Sequence, residues 1–372
     1  MYYQDEFMMG FQDELSFHKY LSEIEERASW LRRPCKGLQV AVVDGLEGKT
    51  EGAGKEEMEG ILFDTKCHTG LVLLHPDGCH ALGTTAISTL KGRARIEGSA
   101  LADIEKPVLA HILNECLKVA KGNALLRISE GKVRAVLSGD KKDYAILPMP
   151  ELYMVASAYI NSDFGSVEFL GGYADHTLTT AVWQVEDEKL SEAYEELMEQ
   201  YGKKWEGDLK ASIRIKTSDV GASGANIFYS LLEDGHSIIL GEALKVQHKH
   251  CQGIEDFTEN VESIFRYYKE ALGNAARLLS IPIRHPANAM AGVMDKKGFA
   301  KRTIAETVEQ FKAAAGDQPC SAYEVYCGIC EALFFAKNSG AGQDALIKME
   351  ERIARCLSAR WQDFDIPGDV RY

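Results

Sequence analysis

Residues 124–139, ALLRISEGKVRAVLSG, carry the pattern that decides the fold of this chain. Apolar and polar residues alternate on both sides of Glu130 and Gly131, as they do in half-buried strands. The pair between the two runs suits a two-residue turn, because glycine readily adopts the positive φ angles that such turns require. The stretch therefore predicts an antiparallel hairpin within a β-sheet.

The two faces of this predicted hairpin differ in chemistry. In the expected register Ser129 faces Lys132, and Arg127 faces Arg134 directly. Like charges opposite each other on a sheet are unfavourable, so an anion between the two arginines would relieve their repulsion. Alternatively, neighbouring Asp or Glu side chains neutralise both arginines. The opposite face is apolar and consists of Leu126, Ile128, Val133 and Ala135.

A second basic strand is predicted at residues 211–218, ASIRIKTS, where Ile213 and Ile215 alternate with polar residues. If this strand shares a sheet face with the hairpin, their cations form one surface. Its lysines and arginines could contact the phosphates of single-stranded nucleic acid, with an affinity that falls as salt rises. Aromatic side chains for base stacking are lacking in these strands. We call this predicted face the five-cation surface: Arg127, Lys132, Arg134, Arg214 and Lys216.

The remaining sequence predicts an α+β fold, with a mixed, largely antiparallel sheet region and a C-terminal helical bundle. Strands and helices from residue 61 onward do not alternate strictly, which argues against a doubly wound parallel sheet. We expect an N-terminal helix, strand and flexible acidic loop in 1–60, an α+β sheet domain in 61–250 and a helical region in 254–372. Within the first segment, helical spacing extends over 13–32 and the loop over 47–60.

The bulk composition narrows the class of protein. The chain has 372 residues, 45% of them hydrophobic, and a formal net charge of −14. This charge argues against a protein that coats nucleic acid by overall attraction. No apolar run is long enough to span a membrane, the first residues do not resemble a signal peptide, and nine scattered cysteines fit a reducing compartment. We therefore expect a cytoplasmic protein.

The loop after the second basic strand is a candidate anion or partner site. Its glycines and serines could direct backbone N–H groups at an anion, whereas Asp219 would repel one. Ser and Asp are also common turn formers that bond to their own backbone, and this structural interpretation stays open. The loop has neither of the usual nucleotide-binding glycine motifs, so no cofactor is expected. The candidate residues are Thr217, Ser218, Asp219, Gly221, Ser223, Asn226 and His248.

Two chemical alternatives remain. A hydrolase would combine Ser218 or Ser223 with Asp219 and either His248 or His250, but spacing alone does not indicate a triad. A metal site would use Cys67, His68, His75, Cys79 and His80, or the pair Cys327 and Cys330. The first group lacks standard zinc spacing, and the second lies in an apolar predicted helix. We expect no metal and a function that is not enzymatic.

Three segments support a family resemblance. They are RIKTSDVGASGANIFYSLLEDGHSIILGEALKVQHKH at 214–250, IPIRHPANAM at 281–290 and GDQPCSAYEVYCGICEALFF at 316–335, with KVRAVLS at 132–138 as an earlier landmark. Across about residues 120 to 355 the chain resembles the phage- and plasmid-like proteins grouped as domain-of-unknown-function family 932.

The resemblance implies an origin in phage, prophage or plasmid genomes, near genes for single-strand DNA handling, recombination or evasion of host defence. It attaches no catalytic role to any residue. Relatives often continue from the serine at 138 directly into a tyrosine-containing segment, whereas this chain continues with GDKKDY. The landmarks carried over are Arg134, Ser138, Thr217, Ser218, Asp219, Gly221 and His248.

Together these observations predict a mobile-element protein that binds single-stranded nucleic acid or a DNA-processing complex through the five-cation surface. The alternative is an anti-defence inhibitor that binds a host protein through an acidic surface, as the net charge would allow. A hydrolase is the third hypothesis. Assembly into a homo-oligomer is left open by the sequence.

Overall fold

A computed structural model describes residues 4–45, 55–140, 143–202, 209–233, 236–248 and 253–369 of the chain. The α+β class is confirmed. Among these residues, none of the helices is both long and apolar enough to cross a bilayer. The strands are β1 Met8–Phe11, β2 Ala28–Pro34, β3 Gln39–Val42, β4 Leu71–His75, β5 Gly78–Leu82, β6 Asn123–Ser129, β7 Lys132–Ser138, β8 Ser166–Asp175, β9 Thr179–Glu186, β10 Lys210–Thr217, β11 Ala225–Glu233, β12 His236–Ile239, β13 Leu244–Val246, β14 Pro282–Ile283 and β15 Cys320–Ser321. The helices are α1 Glu14–Glu26, α2 Lys55–Cys67, α3 Thr84–Ala94, α4 Lys106–Val119, α5 Met149–Asp163, α6 Glu188–Gln200, α7 Ile254–Glu262, α8 Ile264–Ala276, α9 Pro286–Lys296, α10 Lys301–Ala315, α11 Ala322–Asn338 and α12 Gln343–Cys356.

The predicted hairpin is β6–β7, in the middle of a six-stranded sheet with the order β2-β6-β7-β5-β4-β3. All its pairs are antiparallel except β5 with β7. Glu130 and Gly131 have φ angles of 51° and 75°, as a two-residue turn requires. Helices α3 and α4 cover one face of this sheet and share its apolar core.

The register of the hairpin differs from the prediction beyond its turn. Ser129 does face Lys132, but Arg127 faces Ala135 because a β-bulge shifts the register between Arg127 and Ile128. The extra residue of the bulge lies on β7 and changes which side chains point to each face. Val133 and Val136 consequently both join the core under α3 and α4. The predicted direct opposition of Arg127 and Arg134 is wrong.

The second sheet has the order β1-β8-β9-β10-β11-β12, with β13 also paired to β11, and all its pairs are antiparallel. Alternation along β9, β10 and β11 separates its two faces. Ile213, Ile215 and Trp183 belong to the core, where buried Tyr153 and Tyr268 donate hydrogen bonds to strand carbonyls. The opposite face is polar, and α11 and α12 partly cover it.

The C-terminal helices α7–α12 pack into the same hydrophobic core as the seven-stranded sheet. The sequence places Glu324 three residues after Ser321 and Glu259 three residues after Asp256, and this spacing predicts a capping box at each. The first is confirmed, because α11 begins with Ser321 and Glu324 satisfying each other's backbone N–H groups. The second is wrong, because α7 already begins at Ile254 after Gly253. Cys327 and Cys330 lie within α11, as their apolar surroundings predicted.

The N-terminal segment is more ordered than its sequence indicated. Helix α1 ends at Glu26, and Leu31, which the helical spacing included, lies in β2. Residues 55–60 of the predicted loop belong to α2, and 46–54 lie outside the described residues. β1 pairs with β8 and β2 pairs with β6, so this segment contributes to both sheets. The domain boundaries near 60 and 250 stay a prediction.

Candidate ligand groove and the predicted cations

Arg127 is fully buried and neutralised by two carboxylates. Its guanidinium donates to Glu25 at 2.6 and 3.1 Å and to Asp219 at 2.8 Å, and it lies 4.9 Å over the ring of Trp30. Burial by itself lowers the pKa of Arg127, but the two carboxylates outweigh it and hold the pKa above its ordinary value. Arg127 therefore joins α1, the six-stranded sheet and the loop after β10.

Lys132 and Arg134 are also buried, beside an acidic residue near the N-terminus. Asp5 is 1% exposed and accepts hydrogen bonds from Arg134 at 2.8 Å and Lys132 at 3.4 Å. Lys132 forms a further ion pair with Asp64. Asp5 also accepts a bond from the backbone N–H of Thr84 at 2.9 Å. Acidic side chains within the protein thus neutralise the charges of Lys132 and Arg134.

Arg214 and Lys216 lie on the polar face of the seven-stranded sheet, a sheet apart from the hairpin. Arg214 forms an ion pair with Glu350 of α12, and Lys216 is 6% exposed. The five-cation surface is therefore wrong as a solvent-facing patch on a single sheet. The alternative, that acidic side chains neutralise the arginines of the hairpin, is confirmed for Arg127 and Arg134.

The predicted anion or partner loop is brought together with His248, but its serines bond within the protein. Ser218 Oγ donates to the carbonyl of Thr177 at 2.6 Å and accepts from the N–H groups of Val220 and Ala222. Ser223 donates to the carbonyl of Gly224 and accepts from Asn226 at 3.0 Å. These are the turn-forming roles that the structural interpretation predicted.

Three further residues of the candidate anion or partner site have defined surroundings. Gly221 has a φ of 78°, and a Cβ there would lie 2.8 Å from Leu137, so this turn needs glycine. Thr217 is fully buried, and its hydroxyl has no hydrogen-bond partner among the described residues. The Nδ1–H of His248 donates to the carbonyl of Ala145 at 2.9 Å, and the ring stacks on Tyr144. An anion-binding role for this loop stays a prediction.

The geometry does not supply the roles of a hydrolytic triad. Asp219 binds Arg127 rather than orienting a histidine, and the Ser218 hydroxyl donates to a backbone carbonyl. A triad requires the serine to donate to the histidine and the histidine to donate to the acid. His250, the other candidate base, lies outside the described residues.

Potential metal ligands are close together at one place in the described part of the chain, namely Asp5, Asp64 and His68. Of these, the sequence indicated His68 alone. Lys132 binds both carboxylates, and Arg134 binds Asp5. Because an ammonium and a guanidinium already neutralise these acids, a metal cation would meet like charge there. His75 and His80 instead contact each other through ring nitrogens at 2.9 Å.

A groove of about 550 Å³ crosses the polar face of the seven-stranded sheet, beneath α11 and α12. Side chains alternate in direction along each strand, so every second residue of β9, β10 and β11 points into it. One row across the strands contains Val182, Arg214 and Phe228, and the next contains Gln184, Ser212 and Ser230. The floor therefore carries hydroxyl and amide groups beside one arginine.

Arg214 and Glu350 lie against each other in the groove, whose lining also includes Glu331 and Lys337. The Arg214 guanidinium lies 4.5 Å over the ring of Phe228, and burial lowers the pKa of Arg214 to about 10, so the group stays charged at neutral pH. Glu350 and Arg214 neutralise each other in a direct ion pair. The hydroxyl of Thr180 is buried and has no hydrogen-bond partner among the described residues.

Apolar side chains form the rim. Leu170 of β8 is 48% exposed, and Phe334 of α11 is 44% exposed. Leu170 is the extra residue of a β-bulge between Phe169 and Gly171, and Gly171 adopts a φ of 147° that other residues rarely adopt. An open, concave site with apolar walls and a few convergent polar groups is the usual form of a small-molecule site.

Of the groove residues, the sequence indicated Arg214 alone as a binding residue. The same alternation that marked β10 also places Thr180 and Gln184 of β9 on the polar face. Glu350 follows Leu346 and Ile347 and precedes Ile353 on the buried stripe of α12. An acidic residue on an apolar helix stripe is a sequence signal that could have marked Glu350 as a site residue. That Glu350 meets Arg214 across 136 positions is a property of the tertiary structure.

No protein-family model matches this chain, and comparisons with curated proteins and with solved structures likewise found no match. The resemblance to family 932 therefore stays a prediction.

Proposed function

We propose that this protein is a binding protein, not an enzyme, and that it holds a small, largely planar organic molecule in the groove of the seven-stranded sheet. The observation that carries this proposal is a 550 Å³ cavity that combines an apolar rim with hydroxyl, amide and charged groups on its floor. Cavities of roughly 300–1,000 Å³ hold ligands of drug size. Ser212, Ser230 and Gln184 line the cavity and would give the ligand hydrogen-bond partners.

The lining favours binding over catalysis. Its described residues include no histidine that could act as a general base. Cys330 lines the groove, but burial raises the pKa of its thiol to about 12, so it stays protonated and a poor nucleophile at neutral pH. The polar groups that remain can orient a ligand through hydrogen bonds.

The neutral fluorophore N-phenyl-1-naphthylamine tests the groove directly, because its emission rises on entering an apolar site. We expect saturable binding with one site per chain. Phe334→Ser removes an aromatic wall and should weaken binding by about five-fold, since an aromatic contact contributes ~1 kcal/mol. Phe63→Ser makes the same change at a phenylalanine that is 71% exposed on α2, outside the groove, and serves as the control.

Equal effects of the two substitutions, or binding that never saturates, would show that the probe adheres to exposed apolar side chains in general. Either outcome contradicts a groove site. Retained far-UV circular dichroism in both variants establishes that the comparison is between folded proteins.

The burial of the cations affects the two binding hypotheses drawn from the sequence in different ways. Binding of nucleic acid through the hairpin loses its physical basis, because Arg127, Lys132 and Arg134 are buried and paired with acids. The chain has a net charge of −14, and these cations are buried. The excess of carboxylates therefore lies at the surface. A second candidate is therefore an acidic surface that binds a basic protein. A stoichiometric partner that high salt releases, free of nucleic acid, would support it.

A further inference from the structure

A stripe of polar side chains crosses the floor of the groove on three neighbouring strands. Gln184 of β9 lies directly opposite Ser212 of β10, which lies directly opposite Ser230 of β11, and all three line the groove. The two serine hydroxyls make no hydrogen bond within the described part of the chain. Unlike the hydroxyl of Thr180, neither is sealed off from the groove. Both hydroxyls can therefore bond to a ligand.

The spacing of the two serines selects the spacing of polar groups on the ligand. Directly opposed residues on antiparallel strands have Cβ atoms about 4.5–5.5 Å apart. A benzene ring with hydroxyls in meta positions holds its two oxygens at nearly this distance, whereas oxygens in ortho positions lie much closer together. Serine and phenol hydroxyls both donate and accept, so each serine can pair with one hydroxyl in either direction.

Apolar side chains enclose the polar stripe. Val182 and Phe228 belong to the adjacent row of the floor, and Leu170 and Phe334 form the rim. A sugar, with hydroxyls on all sides, would leave some of them without partners against these walls. An aromatic body loses no hydrogen bonds there and can pack against the ring of Phe334. The walls thus favour a flat ring with hydroxyls along one edge.

The charges of the groove lining cancel. The lining contains two basic side chains, Arg214 and Lys337, and two acidic ones, Glu331 and Glu350. Arg214 and Glu350 neutralise each other, so neither requires a counter-charge from a ligand. A carboxylate or phosphate ligand would be repelled by a chain of net charge −14. A phenol has a pKa of about 10, as tyrosine does, and is neutral at pH 7.

Resting on the function proposed above, we infer that the groove binds a neutral 1,3-dihydroxyarene, which is a flat aromatic molecule with two hydroxyls in meta positions. One hydroxyl pairs with Ser212 and the other with Ser230, while the ring packs against Phe334. The side-chain amide of Gln184 continues the stripe and can pair with a further polar group. The ligand undergoes no covalent change.

Isomers of dihydroxynaphthalene test this inference by displacing N-phenyl-1-naphthylamine from the full chain. 1,3-Dihydroxynaphthalene and 2,3-dihydroxynaphthalene have the same composition and nearly the same size, and they differ in the spacing of their oxygens. We expect the 1,3 isomer to bind about five-fold more tightly, because each of its hydroxyls reaches a separate serine and it gains one hydrogen bond.

Ser212→Ala and Ser230→Ala test the protein side of the same contacts. Each should weaken binding of the 1,3 isomer by about five-fold and reduce its preference over the 2,3 isomer to less than about two-fold. Ser166→Ala, at an exposed position of β8 outside the groove lining, is the matched control and should change neither value. Unchanged binding of N-phenyl-1-naphthylamine by both groove variants shows that their apolar walls are intact.

The outcomes separate this inference from the proposed function. If the fluorophore binds in the groove but the two isomers displace it equally or not at all, the dihydroxyarene inference is wrong and the groove function stands. The same conclusion follows if the two serine variants bind the 1,3 isomer as the natural chain does. If neither the fluorophore nor either isomer binds, both are wrong.

Discussion

Arg127 and His248 show how burial decides what a polar residue does. Alternation along β6 correctly separated Arg127 from the apolar face, but its two acidic partners lie 92 and 102 positions away in the chain. Such distant pairing leaves no periodic signal in the sequence. An arginine that local pattern marks as a binding residue instead holds the structure together.

At His248 the same burial affects stability. Burial lowers the pKa of His248 below its ordinary value of 6.5, against the opposing effects of the Ala145 and Ser218 backbone and of Asp219. Below pH 6.5 the unfolded chain then binds more protons at this ring than the folded chain does. The free energy of unfolding should therefore fall as the pH drops from 6.5 toward the lower folded pKa, and it should be retained above 6.5.

Urea unfolding at several values between about pH 7 and pH 5, for the natural chain and for His248→Gln, measures this dependence. We expect the variant to lose less stability over the acidic half of the range, because it has no ring to protonate. Parallel stability curves for the two proteins would contradict a lowered pKa at His248.

At the scale of elements, the strongest predictions rested on interactions between residues that are close in the sequence. The turn of the β6–β7 hairpin and the capping box of α11 depend on residues within a few positions of each other, so their patterns are complete in the sequence. The end of α1 and the strand β2 depend on pairing with β6, about a hundred residues later. The helical spacing continued to Leu31, but Leu31 lies in β2 because β2 pairs with β6.

Replacing the turn glycine Gly131 and a helical glycine by alanine tests whether the hairpin turn requires glycine. Gly131 has a φ of 75°, and a Cβ there would lie 2.8 Å from Ile61 Cδ1. Gly131→Ala should lower the free energy of unfolding by about 1–2 kcal/mol, because side chains rarely adopt this φ. Gly92 lies in α3 with open space around it, and Gly92→Ala should raise stability by about 0.5–1 kcal/mol. Thermal or urea unfolding measures both, and effects of the same sign would contradict this account of the turn.

At the scale of the whole molecule, the cations predicted to form a surface instead tie its parts together. Arg127 joins α1 and the loop after β10 to the six-stranded sheet, and Asp5 joins the N-terminal segment to β7 through Lys132 and Arg134. These contacts are buried, so removing one partner leaves a charge without compensation in a medium that solvates it poorly.

Asp5→Asn tests this role. The substitution keeps the size of the side chain but removes the charge that Arg134 and Lys132 share, and it should lower the free energy of unfolding by about 3–5 kcal/mol. Asp103→Asn makes the same change at an exposed position and should stay within about 0.5 kcal/mol of the natural chain. Comparable urea midpoints for the two variants would show that Asp5 is not needed to neutralise the buried cations.

The sequence by itself determined the α+β class, the hairpin and its turn, the helical C-terminal region and the faces of β10, because each follows from alternation, capping or turn chemistry within a short window. The tertiary structure alone decided the bulge in β7, the burial of the cations and the meeting of Arg214 with Glu350. Those features depend on which distant segments pack together, and a charge on a strand has the same local pattern whether its partner is a phosphate in solution or a carboxylate a hundred residues away.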